Sequence, residues 1–203
     1  MTSNWRVAPL RHLIGSIKNG TWGDDPLDDG TDVLCVRAAD FDRQKMRVEP
    51  SRAPMRHVSP RDHRHLLKRG DLVIEKSGGG EDQPVGAVVR FDLEDQAVCS
   101  NFAARIVPAP GIESRYLTYL MASMYLSGVT RKWIKQTTGI QNLDTGGYQS
   151  EPCLVPPLDE QRKIADFLDV ETARMDRLIE LRGRTTALAA ERAEALLAPI
   201  PFS

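Results

Sequence analysis

From Asp159 to Leu197 the chain runs 39 residues without a proline and with a single glycine, Gly183. Within it Ile164, Phe167, Leu168, Met175, Leu178, Ile179 and Leu181 recur at three- and four-residue steps, the spacing of one helical face. Asp159 and Glu160 suit a helix start, where the backbone dipole favours negative charge, and Pro199 and Pro201 stop it. At 1.5 Å per residue such a helix is about 58 Å long. A domain of about 150 residues has no need of a cap that long, so much of the helix must project or lie along a partner. Its apolar stripe is broken by Glu171, Arg182 and Arg192, and Gly183 costs roughly 1 kcal/mol against Ala. An uninterrupted two-stranded zipper is therefore not expected. A helix that touches several partners along its length fits better.

The preceding residues read differently. Short β-rich runs fall at Val33–Arg37, Leu72–Lys76, Val85–Arg90, Ala97–Cys99 and Ala104–Val107, each bounded by Gly, Pro, Asp or Ser. Ser114–Leu126 carries a helical pattern. A second short helix is expected over Val129–Gln136, after Gly128, and a polar Gly-rich loop over Thr137–Gly147. The fold class expected is α+β: a mixed globular domain over residues 1–156, then one long coiled-coil-type helix over 157–198. Cys35, Cys99 and Cys153 are odd in number and widely spaced, so they suggest small buried apolar residues in a reducing cytoplasm, not a disulfide framework. No apolar run approaches the ~20 residues of a membrane span. The N-terminus lacks an apolar signal core, and the expected location is cytoplasmic.

Net charge is −1, but the charges are not evenly spread. Residues 37–69 hold ten Lys/Arg against four Asp/Glu, and residues 70–100 hold seven acids against two bases. A polyanion needs only a local positive face. The blander reading of 37–69 is a solvated loop region. Lys76-Ser-Gly-Gly-Gly80 follows a strand run, yet it has neither the phosphate-loop spacing nor the dinucleotide fingerprint. His57, His63 and His65 lie close together without a zinc-binding signature, amid arginines that oppose a cation. No nucleophile elbow is present, and Pro156-Pro157 is not flanked as in the catalytic tetrapeptide of adenine methyltransferases. No catalytic residue, metal site or cofactor is expected in this chain. Trp22 and Trp133, each among polar or basic residues, suit either core packing or stacking on bases.

One phrase is specific. Val155-Pro-Pro-Leu-Asp-Glu-Gln-Arg-Lys-Ile-Ala-Asp-Phe-Leu-Asp169, followed by Thr172-Ala-Arg-Met-Asp-Arg-Leu-Ile179, closely resembles the opening of the conserved helical region in specificity subunits of Type I restriction–modification systems. Weaker words occur upstream in the family's order: Asn19-Gly-Thr21, Val36-Arg-Ala-Ala-Asp-Phe41, Leu67-Lys-Arg-Gly-Asp-Leu-Val-Ile74, Asn101-Phe-Ala-Ala-Arg105, Arg115–Leu120 and Thr138-Gly-Ile-Gln-Asn-Leu143. The resemblance covers essentially the whole chain. It implies a target recognition domain that binds double-stranded DNA and a helix that pairs with a second helix and docks modification (methyltransferase) subunits. Those subunits supply S-adenosylmethionine and methylate adenine, and a motor-nuclease subunit joins for restriction. Family members usually carry two such domains and two helices. With one of each, this chain resembles a half-subunit, expected to act as a homodimer or beside a second specificity half.

On this reading the DNA-contact candidates are Arg37, Arg43, Lys45, Arg47 and Arg52, Lys76 at the Gly-rich turn, and Arg131, Lys132, Lys135, Gln136, Thr138, Gln141 and Asn142. The subunit-interface candidates are Ile164, Phe167, Leu168, Met175, Leu178 and Leu181. Two other readings stand beside it: an interaction protein that occupies modification subunits without reading DNA, and a small enzyme using the His cluster or the Gly-rich loop.

Overall fold

A computed structural model of the chain describes residues 4–137 and 139–197; the side chains of 137 and 194–197 are outside that description. Two compact units emerge, Met1–Lys163 and Ile164–Ser203. The first unit holds strands β1 (Arg6–Pro9), β2 (Ile14–Asn19), β3 (Val33–Val36), β4 (Phe41–Asp42), β5 (Arg47–Val48) and β6 (Met55–Arg56). They are followed by β7 (Leu72–Glu75), β8 (Ser77–Gly78), β9 (Val88–Arg90), β10 (Ala97–Cys99) and β11 (Ala103–Pro108). Helix α1 (Ser114–Leu126), β12 (Ile134–Thr137), β13 (Ile140–Leu143), the short α2 (Thr145–Tyr148) and β14 (Pro152–Val155) complete it. Helix α3 (Leu158–Leu197) begins in this unit and supplies the described residues of the second. The architecture is α+β with one long C-terminal helix, as read from the sequence.

The main sheet has the order β2-β11-β7-β9-β5-β4. Its centre is β7, whose four residues are all buried, the pattern of a strand covered on both faces. Val73, Ala87, Val89, Phe91, Ala97 and Cys99 join one core cluster. Val33, Cys35, Val58 and Val98 form a second, around the three-stranded sheet β10-β3-β6. All three cysteines are free and buried. Burial pushes their thiols up, Cys35 and Cys153 to about 11 and Cys99 to about 12, so they stay protonated and inert.

Two expectations are corrected between α1 and α3. The segment expected as a helix over Val129–Gln136 is a single 3-10 turn, Val129–Trp133, followed by β12. The expected loop over Thr137–Gly147 contains β13 and α2. Along β13 exposure alternates strictly, Ile140 out, Gln141 in, Asn142 out, Leu143 in, but a polar Gln occupies a buried slot and erases the apolar alternation that marks a strand. The turn that follows needs glycine: a Cβ on Gly147 would lie 2.2 Å from Trp133 Cε3.

The helix start is held by side chains of the first unit. Gln161, 2% exposed, donates from Nε2 to Pro156 O (2.9 Å) and accepts at Oε1 from Glu113 N (2.9 Å). Trp5 Nε1 donates to the Glu160 carboxylate. These bonds fasten the first turn of α3 to the first unit, which extends to Lys163.

Candidate nucleic-acid interface

The hairpin β12–β13 pairs with β8 to form a three-stranded sheet of order β12-β13-β8. In register, Lys135 faces Asn142, and Asn142 faces Ser77. Residues directly opposite across strands share a face, so these three make a polar band across the sheet. Lys135 and Asn142 are exposed and Ser77 is half-buried. Ser77 Oγ donates to Asn142 Oδ1 at 2.6 Å, which leaves the Asn142 amide donors without a protein partner among the described residues. Lys135 Nζ lies 2.7 Å from Asp144 Oδ2. The Asp144 carboxyl also accepts from Gly147 N (3.0 Å) as the cap of α2, and this bond, followed by Lys135, holds its pKa below the usual carboxylate value. At neutral pH it stays charged and fixes Lys135.

Gln141 lies on the opposite face and is 6% exposed. Its Oε1 accepts from Val85 N at 3.2 Å and its Nε2 donates to Gly80 O at 3.3 Å. It thereby joins the hairpin to the Gly-rich turn that follows β8. Within that turn Gly79 sits at φ +60°, and a Cβ there would lie 2.9 Å from Val85 N, so the turn suits glycine alone. Lys76, half-buried, bridges the two sheets: its N–H donates to Phe102 O (2.9 Å) and its carbonyl accepts from Leu143 N (2.8 Å). The adjacent Glu75, buried in β7, accepts from Arg43 Nη2 at 2.8 Å. Burial raises the Glu75 pKa, and the Arg43 bond opposes that rise.

The structure thus brings Arg43, Lys76, Lys135, Gln136, Gln141 and Asn142 into one connected region, with the exposed Arg131 and Lys132 in the turn that leads into β12. Thr138 lies outside the described residues. The candidates differ in what they have left to offer. Arg37 is bound to Asp40 through Nε and Nη2 (2.9 and 2.8 Å) and to Arg52 O, a structural clasp. Lys45 is 3.7 Å from Asp42, and Lys132 is 3.4 Å from Glu151. Gln141 is a packing residue. Arg47, Arg52 and Arg131 are exposed and have no ion-pair partner among the described residues. In the sequence Ser77 reads only as part of the Lys76–Gly80 turn, and the acids Glu75, Glu81 and Asp82 only as an excess over 70–100.

Trp22 and Trp133 each already have a partner within the first unit. Trp133 packs on Gly147 and donates from Nε1 to Glu151 Oε1 (2.8 Å). Arg56 lies 5.3 Å over the ring of Trp22, a cation–π arrangement. Among the described residues no group of three or more His, Cys, Asp or Glu is placed to hold a metal ion, and no helix is long and apolar enough to cross a membrane.

In the second unit, α3 continues helical through Gly183. Of the interface candidates, Phe167, Met175, Leu178 and Leu181 are exposed, and Ile164 and Leu168 are half-buried. Val170, Ile179 and Leu188 are exposed as well. Thr185 and Thr186 return their hydroxyls to Leu181 O and Arg182 O, which relieves them of any need for outside partners.

No protein-family model matches the chain. A curated relative, the specificity subunit of the Type I restriction enzyme StySPI from Salmonella potsdam, is 23% identical over 164 residues. That alignment takes in 79% of this chain and 34% of the relative. A chain solved in work on assembly and conformational transition of the type I restriction–modification system superposes with a TM-score of 0.70 at 20% identity, over 97% of this chain and 45% of that one. The HsdS subunit from Thermoanaerobacter tengcongensis gives 0.54 at 21%, over 87% and 40%. The S subunit from M. genitalium gives 0.57 at 15%, over 96% and 46%. The resemblance carried by the junction phrase is thus met by independent similarity in sequence and in fold. The chain spans about a third of the curated relative and under half of each solved chain.

Proposed function

We propose that this chain is a specificity half-subunit of a Type I restriction–modification system: a non-catalytic, cytoplasmic DNA-binding protein that directs partner subunits to a bipartite site. The observation that carries the reading is the pairing of one mixed α+β domain bearing an exposed polar hairpin with one long helix bearing bare apolar side chains. The same fold extends over 97% of the chain in a type I system component. Modification subunits dock on α3, bring S-adenosylmethionine and methylate adenine, and a motor-nuclease subunit adds restriction.

One domain on one helix reads one half-site. Two copies paired antiparallel through a twofold axis form an isologous dimer, and protein symmetry is mirrored in an inverted DNA repeat. The 40 residues of α3 make a helix of about 60 Å. At ~3.4 Å per base pair this is about 18 base pairs of DNA, which bounds the gap between half-sites from above. The test is reconstitution with a modification subunit, followed by sedimentation and by sequencing of methylated adenines in a host expressing both. Two specificity chains per complex and an interrupted palindrome are expected. One specificity chain, or an asymmetric bipartite motif, means that a different second half is required. Failure of the chain to associate with any modification subunit refutes the reading.

A further inference from the structure

Beside the hairpin, the Gly-rich turn and the Arg43–Glu75 pair line an open cavity of about 410 Å³. Ala38 and Ala39, Arg43, Glu75, Glu81, Asp82 and Gln83 contribute to its wall. Arg43 is its single cation. One arm of the Arg43 guanidinium is fixed: Nη2 donates to Glu75 Oε2 at 2.8 Å, and the Glu75 side chain is only 5% exposed. The other arm is not matched. Nη1 is shielded from solvent and has no hydrogen-bond partner among the described residues. A charged donor in that state is among the most unfavourable arrangements in a protein interior, so natural structures keep one only for a reason.

We propose that this cavity reads a base, and specifically that Arg43 reads the guanine of a G·C pair, a role that rests on the DNA-reading function proposed above. The charge of the wall decides against a phosphate. Glu75 offsets the one cation, and Glu81 and Asp82 add two further acids with no cation opposite them in the cavity wall. A phosphate entering there meets repulsion. A neutral acceptor suits the unpaired donor once the guanidinium turns to expose it. Guanine presents two adjacent acceptors, O6 and N7, on its major-groove edge, the commonest arginine target. Its partner cytosine presents an N4 amino donor that carboxylates accept. One cation already clamped by an acid, with two free acids beside it, suits both halves of that pair. The Glu75 bond at Nη2 serves as a pivot, and reading requires the guanidinium to turn about it so that Nη1, shielded from solvent in the free chain, reaches an acceptor in the cavity.

The test is selection from a randomised double-stranded oligonucleotide library by the full chain reconstituted with modification subunits, comparing wild type with R43A, R43K and E81Q/D82N. The expected wild-type motif contains a G·C pair whose preference falls about 10- to 100-fold in R43A, while the other positions keep theirs. R43K, which keeps the charge and loses the fork, is expected to relax the same position. E81Q/D82N is expected to weaken discrimination on the cytosine side there. If R43A fails to fold, R43K and the acid pair carry the decision. A uniform loss across all sequences, with the salt slope falling by about one, marks a phosphate contact and overturns the inference while leaving DNA reading intact. A wild-type complex with no sequence preference overturns both.

Discussion

Gln141→Ala removes a buried side chain that ties the hairpin to the Gly-rich turn, and its effect can be worked from the geometry. The Val85 N–H loses its acceptor at 3.2 Å, and Val85 is fully buried. An unsatisfied buried donor costs about 1–3 kcal/mol. The Gly80 carbonyl loses its donor at 3.3 Å, but Gly80 is only half-buried and water replaces much of that bond. The net loss is therefore about 2 kcal/mol, most of it at Val85. For a domain of this size that is a fall in Tm of about 4–8 °C. Urea unfolding followed by far-UV circular dichroism should show a lower midpoint at unchanged slope. Hydrogen exchange should localise the damage, with the Val85 amide losing protection far more than amides of β7. Sequence preference in DNA binding should blur, because the turn that walls the Arg43 cavity is released. A stability loss below about 0.5 kcal/mol, the size of an ordinary surface substitution, with Val85 still protected, would refute the structural role given to Gln141.

Other outcomes follow from the same geometry. Gly147→Ala forces a methyl into the Trp133 ring at 2.2 Å and endangers its bond to Glu151; overpacking of that kind costs about 1–3 kcal/mol, read as a lower urea midpoint with a shifted tryptophan emission. The three cysteines, held protonated by burial with Cys99 at about 12, should resist an aromatic disulfide reagent at pH 8 and react rapidly once urea unfolds the chain. Leu178→Asp with Leu181→Asp, both on exposed stretches of α3, should abolish capture by modification subunits and self-association while leaving the thermal transition of the first unit unchanged; undiminished capture removes α3 from the assembly role. DNA affinity in the assembled complex should fall with salt at a log–log slope of about −4 to −5 if about five phosphates per chain are contacted, and a flat dependence contradicts a charge-driven interface.

How much of this was legible in the sequence depends on whether a position's role is local. The long helix was, because its signal is the absence of prolines and a repeated apolar step. So was β7, where Leu72, Val73 and Ile74 form a continuous apolar run. The hairpin was not. Gln136 and Gln141 are the same residue type, paired across strands, yet one is exposed and the other is buried as a clamp on Gly80 and Val85. Only the three-dimensional neighbours distinguish them. The basic stretch 37–69 shows the same limit for charge. Its ten cations suggested a local positive face, but Arg43 is tied to Glu75 and Arg56 to Asp25, acids that lie far away in sequence, and Arg37 is closed on Asp40. A local excess of arginines therefore overstates the positive surface, and the acid-rich stretch that follows is part of what consumes it. The same pairing sharpens function. An arginine whose charge is offset by a buried acid contributes little to nonspecific attraction, but it is oriented, and orientation is what base discrimination requires. In this domain the cations that attract DNA and the cation that reads it are expected to be different residues: exposed Arg47, Arg52 and Arg131 for the first, clamped Arg43 for the second.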